Sequence, residues 1–95
     1  MKIQINQTTK MTIEVPKYFR SKKYPNYYFM TWGEESAVRV VNYDIAESLI
    51  LYPSIDVVGL KYVSTSYEDG IEPISEADFK HVFIKVSLLI ENLMN

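Results

Sequence analysis

The residues best equipped for chemistry lie between Lys17 and Tyr28, where K-Y-F-R-S-K-K-Y-P-N-Y-Y interleaves four bases with five aromatics. Bases neutralise phosphates and release counterions, and aromatic faces stack on unpaired nucleobases, so this composition suits a single-strand binding surface. Lys17, Arg20, Lys22, Lys23, Tyr24, Tyr27 and Tyr28 are the candidate nucleic-acid surface. The competing reading is a basic solvated loop whose Tyr18, Phe19, Tyr27 and Tyr28 serve a core, since aromatics are a sheet's normal filling. A net charge of −2 favours that second reading, because a dominant nucleic-acid footprint makes a domain basic.

The charge is nonetheless unevenly spread. Residues 1–33 hold six bases against the single acid Glu14, whereas residues 34–95 hold four bases against eleven acids. Asymmetry of this kind points to an interaction surface. Lys17 to Lys23 can meet the acidic stretch Glu68, Asp69, Glu72, Glu76 and Asp78, within one chain or across a subunit boundary, and such complementarity sets orientation more than affinity.

Other chemistries fail on residue type or spacing. The chain has no cysteine, which removes disulfides, zinc ribbons, iron–sulfur ligation and thiol nucleophiles, and fits a reducing compartment. His81 is the only histidine, so no site can use two imidazoles, and a catalytic triad would need His81 as base without an evident carboxylate to orient it. Gly33, Gly59 and Gly70 are too far apart for a phosphate-cradling loop. Glu34 and Glu35 fall at a hairpin tip, where no burial would raise a carboxyl pKa into the working range. The acids at 68–78 lack the alternating ligands of a calcium loop and read as a solvated turn before a helix start. The expectation is a non-enzyme with no metal and no cofactor.

The clearest element is an amphipathic helix from Ser75 to about Met94. Ser75 is the N-cap, Asp78 stands three residues on, and Glu76 and Asp78 place negative charge at the positive end of the helix dipole. At about 100° per residue, Phe79, Val82, Phe83, Val86, Leu89, Ile90 and Leu93 share one stripe fit to pack on a sheet. Fully buried, those seven would contribute on the order of ten kcal/mol before entropy is subtracted. Ala77, His81, Ile84 and Leu88, spaced 4, 3 and 4 apart, lie together on the opposite side. A helix that only caps a sheet should carry charge there, so this seam is the candidate partner surface, either for a two-fold dimer or for another protein element. Two apolar residues on an exposed face are also ordinary, because much of any protein surface is apolar.

The rest of the chain supplies the sheet. Lys2 to Asn6 and Lys10 to Pro16 alternate apolar and polar residues, with Gln7 to Thr9 as a turn between two strands. Pro16 and Ser21 to Lys23 interrupt the pattern, and Tyr24-Pro25-Asn26 is a turn. Tyr27 to Trp32 and Ser36 to Tyr43 form a second pair of strands around Gly33-Glu34-Glu35. Asp44 and Glu47 form a capping box for a short helix over Ile45 to Leu51, which Pro53 ends. Ile55 to Tyr67 is β-branched and aromatic and reads as strand, with a bulge at Gly59 and a turn at Glu68-Asp69-Gly70.

The expected fold is one α+β domain over residues 1–95: an antiparallel sheet of about five strands, a short middle helix and the long C-terminal helix on one face. At 47% hydrophobic and 23% charged, the composition is that of an ordinary globular protein. No apolar stretch has the length of a signal peptide or a membrane span, so the expected location is cytoplasmic. The expected function is a small non-enzymatic binding or accessory protein that acts through protein contacts as a homodimer. The alternative is a small nucleic-acid-binding accessory protein using residues 17–28.

Overall fold

A computed structural model describes residues 2–5, 11–32, 36–43 and 53–94. The alternating N-terminal segments pair antiparallel, β1 (Lys2–Ile5) with β2 (Met11–Glu14), in a register that sets Ile3 opposite Ile13 and Ile5 opposite Met11. The intervening positions Lys2, Gln4, Thr12 and Glu14 are exposed, as a period of two requires of a strand pair with one wet face. The turn expected over Gln7 to Thr9 lies outside the described residues.

The main sheet has five strands: β3 (Lys17–Ser21), β4 (Tyr27–Thr31), β5 (Ser36–Val41), β6 (Ser54–Gly59) and β7 (Ile71–Pro73). Their order is β6-β5-β4-β3-β7 and every neighbouring pair is antiparallel. The basic, aromatic run after Pro16 is therefore an interior strand, not a loop. Phe19 and Ser21 are buried on one face of β3 while Tyr18 and Arg20 turn to the other, so the bases had masked an ordinary alternation. Tyr24-Pro25-Asn26 is the expected turn. The Tyr27 amide donates to the Tyr24 carbonyl at 2.9 Å, the Tyr24 amide donates to Ser21 Oγ at 3.0 Å, and Asn26 Nδ2 donates to the Asn42 carbonyl at 2.7 Å. The β4–β5 pairing fits a hairpin whose tip, Gly33-Glu34-Glu35, lies outside the described residues.

Ile55 to Tyr67 is not one strand. β6 ends at Gly59 and helix α1 (Leu60–Asp69) begins at once. The residues suit a strand one by one, but Val63, Ser66 and Tyr67 recur at helical spacing and turn inward, so burial overrides propensity. Hydroxyls that would compete with a helix are absorbed by it: Thr65 Oγ1 donates to the Lys61 carbonyl at 3.0 Å and Ser66 Oγ to the Tyr62 carbonyl at 2.9 Å. Gly59 makes no bulge, since β5 and β6 pair one to one from Ser36–Gly59 to Val41–Ser54. Gly70, at φ 100°, ends α1 in a conformation that favours glycine, and its amide reaches the Tyr67 carbonyl at 3.3 Å. The short helix expected over Ile45 to Leu51 lies outside the described residues.

Helices cover both faces of the sheet. On one face α1 packs Val63 against Phe19, Phe29, Ala37 and Val58, and Val15, which follows β2, joins this cluster. Phe19 stacks on Phe29 at 5.1 Å and meets the edge of Tyr67 at 5.2 Å. On the other face lies α2 (Glu76–Met94), with Phe79, Val82, Val86 and Ile90 against Tyr18, Tyr28, Met30, Val38, Val40 and Ile55. Ser75 caps it as its sequence implies, Oγ accepting from the Asp78 amide at 3.0 Å. Its buried stripe is narrower than the spacing alone implies: Phe79 and Val86 are buried, while Phe83 and Leu93 are exposed at the rim. Among the described residues no helix is long and apolar enough to cross a membrane.

Candidate functional site

The outer face of α2 is one place where the structure leaves apolar side chains in solvent, beside Trp32, Val57 and Tyr62 elsewhere. Ala77 and His81 are exposed, and Ile84 and Leu88 retain 59% and 55% of their accessible surface. This is the seam marked by the spacing. Phe83, Leu93 and Met94, the last 82% exposed, add apolar surface at the rim and C-terminal end of the helix, away from this seam. Beside the seam, Lys80 Nζ lies 2.8 Å from Glu76 Oε1, one helical turn away, and this hydrogen bond raises the Lys80 pKa above its ordinary value.

The basic–aromatic set of residues 17–28 is not held together on one surface. Arg20 and Tyr28 lie on the α2 side of the sheet, where Tyr28 packs in the core cluster. Arg20 Nη2 meets Glu72 Oε2 at 2.6 Å, and hydrogen bonding to Tyr28 and then Glu72 raises the guanidinium pKa further. Lys22, Lys23 and Tyr24 are exposed in the turn after β3. Lys17 is half-buried at the far end of that strand, its carbonyl accepting from Thr31 Oγ1 at 3.4 Å. Lys23 Nζ is 3.9 Å from Asp69 Oδ1 and sits 5.5 Å from the centre of the Tyr24 ring. Two of the bases thus meet the acidic stretch of the same chain, as the charge asymmetry allowed.

Tyr27 belongs to another group on the α1 side, most of which the sequence did not reveal. Tyr24 stacks on Tyr27 at 5.3 Å, and Tyr43 meets Tyr27 edge-on at 6.4 Å. The Arg39 guanidinium carbon lies 5.5 Å from the centre of the Tyr27 ring and 5.4 Å from that of Tyr62. Two nitrogens of the guanidinium donate to Asp56, Nη2 to Oδ2 at 2.7 Å and Nε to Oδ1 at 3.2 Å. The available signal was strand parity. Tyr27 and Phe29 share a face, and the register opposes Phe29 to Arg39 and Arg39 to Asp56, but that register is visible only once the strands are paired.

Among the described residues no group of three or more His, Asp or Glu is placed to hold a metal ion. The Tyr67 hydroxyl is buried with no hydrogen-bond partner among the described residues, and its burial raises the phenol pKa. It lies within the core between α1 and the sheet. A scan of protein-family models and searches of curated proteins and of solved structures found no match.

Proposed function

We propose that this chain is a small non-enzymatic binding protein that acts through protein contacts, as a homodimer joined by the outer faces of α2. The observation that carries this reading is the exposure of Ile84 and Leu88 on the helix side turned away from the sheet. A contiguous apolar seam of this kind marks an interaction surface, whereas scattered single residues do not. The occupant is a second copy because the seam is self-complementary. Antiparallel packing about a two-fold near Ile84 sets Ile84 against Ile84 and Leu88 against His81, an isologous contact that closes at two chains. Few side chains take part, so the interface is smaller than about 1,200 Å² and the dimer dissociates on dilution.

The natural chain lacks cysteine, which permits a clean geometric test. Ile84→Cys, oxidised at a concentration where dimer forms, is expected to give a disulfide-linked dimer. Thr65→Cys, exposed on α1, is the control and is expected to stay monomeric. Equal yields from the two variants would reject the α2 interface.

One observation favours a second reading, a nucleic-acid-binding accessory protein. Tyr24, stacked on Tyr27 beneath Lys23, offers an exposed ring and a cation to an unpaired base. Arg20, Lys23 and Arg39 are already matched to carboxylates, which lowers the charge available to phosphate. Anisotropy of a labelled single-stranded oligonucleotide at two salt concentrations separates the readings. Salt-sensitive binding that Lys22→Glu/Lys23→Glu abolishes would favour nucleic acid.

A further inference from the structure

We propose that the outer edge of β6 takes up an extended segment of a partner protein, with alternating basic and apolar residues, as a sixth strand. This surface is distinct from the outer face of α2 and stands without it. The two edges of the sheet differ in how they are guarded. β7 is three residues long, contains Pro73, which has no amide hydrogen, and is flanked by the Arg20–Glu72 pair. β6 is six residues long, pairs with β5 without a bulge, and contains neither proline nor lysine. Among the described residues no strand pairs along its outer side. Unguarded edges of this length are the templates used in strand addition, where main-chain hydrogen bonds give affinity and alternate side chains give specificity.

The side chains of β6 define the occupant. Val57 lies two residues from Ile55, on the α2 side of the sheet, yet is 68% exposed, the one large hydrophobic among the described residues of the five main-sheet strands left in solvent. An added strand with an apolar residue opposite would bury it. Asp56 faces the α1 side, its carboxylate half-exposed beside Arg39. A lysine or arginine cross-strand from it, next in sequence to the apolar residue, would join that ion pair. A second copy of β6 satisfies this poorly. The symmetric antiparallel register about residue 56 opposes Asp56 to Asp56, and the one about residue 57 opposes Asp56 to Val58, leaving Asp56 without a new cation.

The test titrates the folded chain with a labelled nine-residue peptide alternating lysine and valine, and with two controls: glutamate in place of each lysine, and the same composition with the alternation scrambled. The alternating peptide is expected to bind, to slow exchange of the amide hydrogens of residues 54–59, and to bind at least about tenfold more tightly than either control. Val57→Lys, at an exposed position, should weaken binding by a similar factor, and Leu88→Glu should leave it unchanged. No saturable binding, equal binding of all three peptides, or protection mapping away from β6 overturns the proposal. Self-association abolished by Val57→Lys would also overturn it, by assigning the edge to a second copy. The exchange measurement on the unmodified chain decides the matter even if Val57→Lys folds poorly.

Discussion

Arg39 of β5 and Asp56 of β6 stand directly opposite each other and close a two-point ion pair, with the guanidinium between the rings of Tyr27 and Tyr62. One arginine of β5 therefore meets three other elements: β6 through Asp56, β4 through Tyr27 and α1 through Tyr62. Because the pair is only partly buried, its coupling is about 1 kcal/mol, measurable by a double-mutant cycle of Arg39→Ala and Asp56→Ala in urea denaturation. Arg39→Lys is expected to recover less than half of this, since an ammonium can neither bridge both carboxylate oxygens nor lie flat on a ring.

The two sides of α2 should respond unequally to truncation. Val86 is fully buried against the sheet, so Val86→Ala is expected to cost about 2 kcal/mol of folding stability. Ile84→Ser, on the outer face, should change the stability of the monomer by no more than about 0.5 kcal/mol. Chemical denaturation of dilute protein measures both.

The capping bond at the start of α2 is testable separately. Ser75→Ala removes the oxygen that accepts from the Asp78 amide and is expected to cost about 1 kcal/mol. Ser75→Asp should restore most of the loss.

Tyr67 gives a pH dependence. Burial raises its pKa above the ordinary phenol value, so the folded state favours the neutral form. Its contribution to stability is complete below about pH 10, the unfolded value, and is lost as pH rises through the folded value. Tyr67→Phe should remove that alkaline loss. At neutral pH it should be neutral or slightly stabilising, because the hydroxyl it deletes has no partner among the described residues. Thermal melts of both proteins between pH 7 and 11 check the sign.

How far these features could be read from sequence depended on whether the signal was local. Ser75, Asp78 and the spacing of Phe79, Val82, Val86 and Ile90 define α2 within one segment, and the alternation through Ile3 and Ile13 does the same for the N-terminal strand pair. The class, an α+β domain with an antiparallel sheet and a long C-terminal helix, followed from such signals. Leu60 to Asp69 was misread because it starts without a side-chain cap and is made of residues that favour strands; only burial of Val63 against the sheet makes it helical. The outer seam of α2 was legible for the same reason as the helix. The Arg39 group and the β6 edge, along which no described strand pairs, were not, because a cross-strand pair and a sheet edge exist only after strand order is fixed.

Exposed Ile84 and Leu88 are proposed to form an interface between two copies of the chain. Sedimentation equilibrium over a wide concentration range, on the native chain and on Leu88→Glu, tests it most directly. The native chain is expected to rise from its monomer mass of 11.1 kDa toward twice that value, and Leu88→Glu to remain monomeric with an unchanged melting curve. A native chain that stays monomeric throughout, or a dimer indifferent to Leu88→Glu, would contradict it.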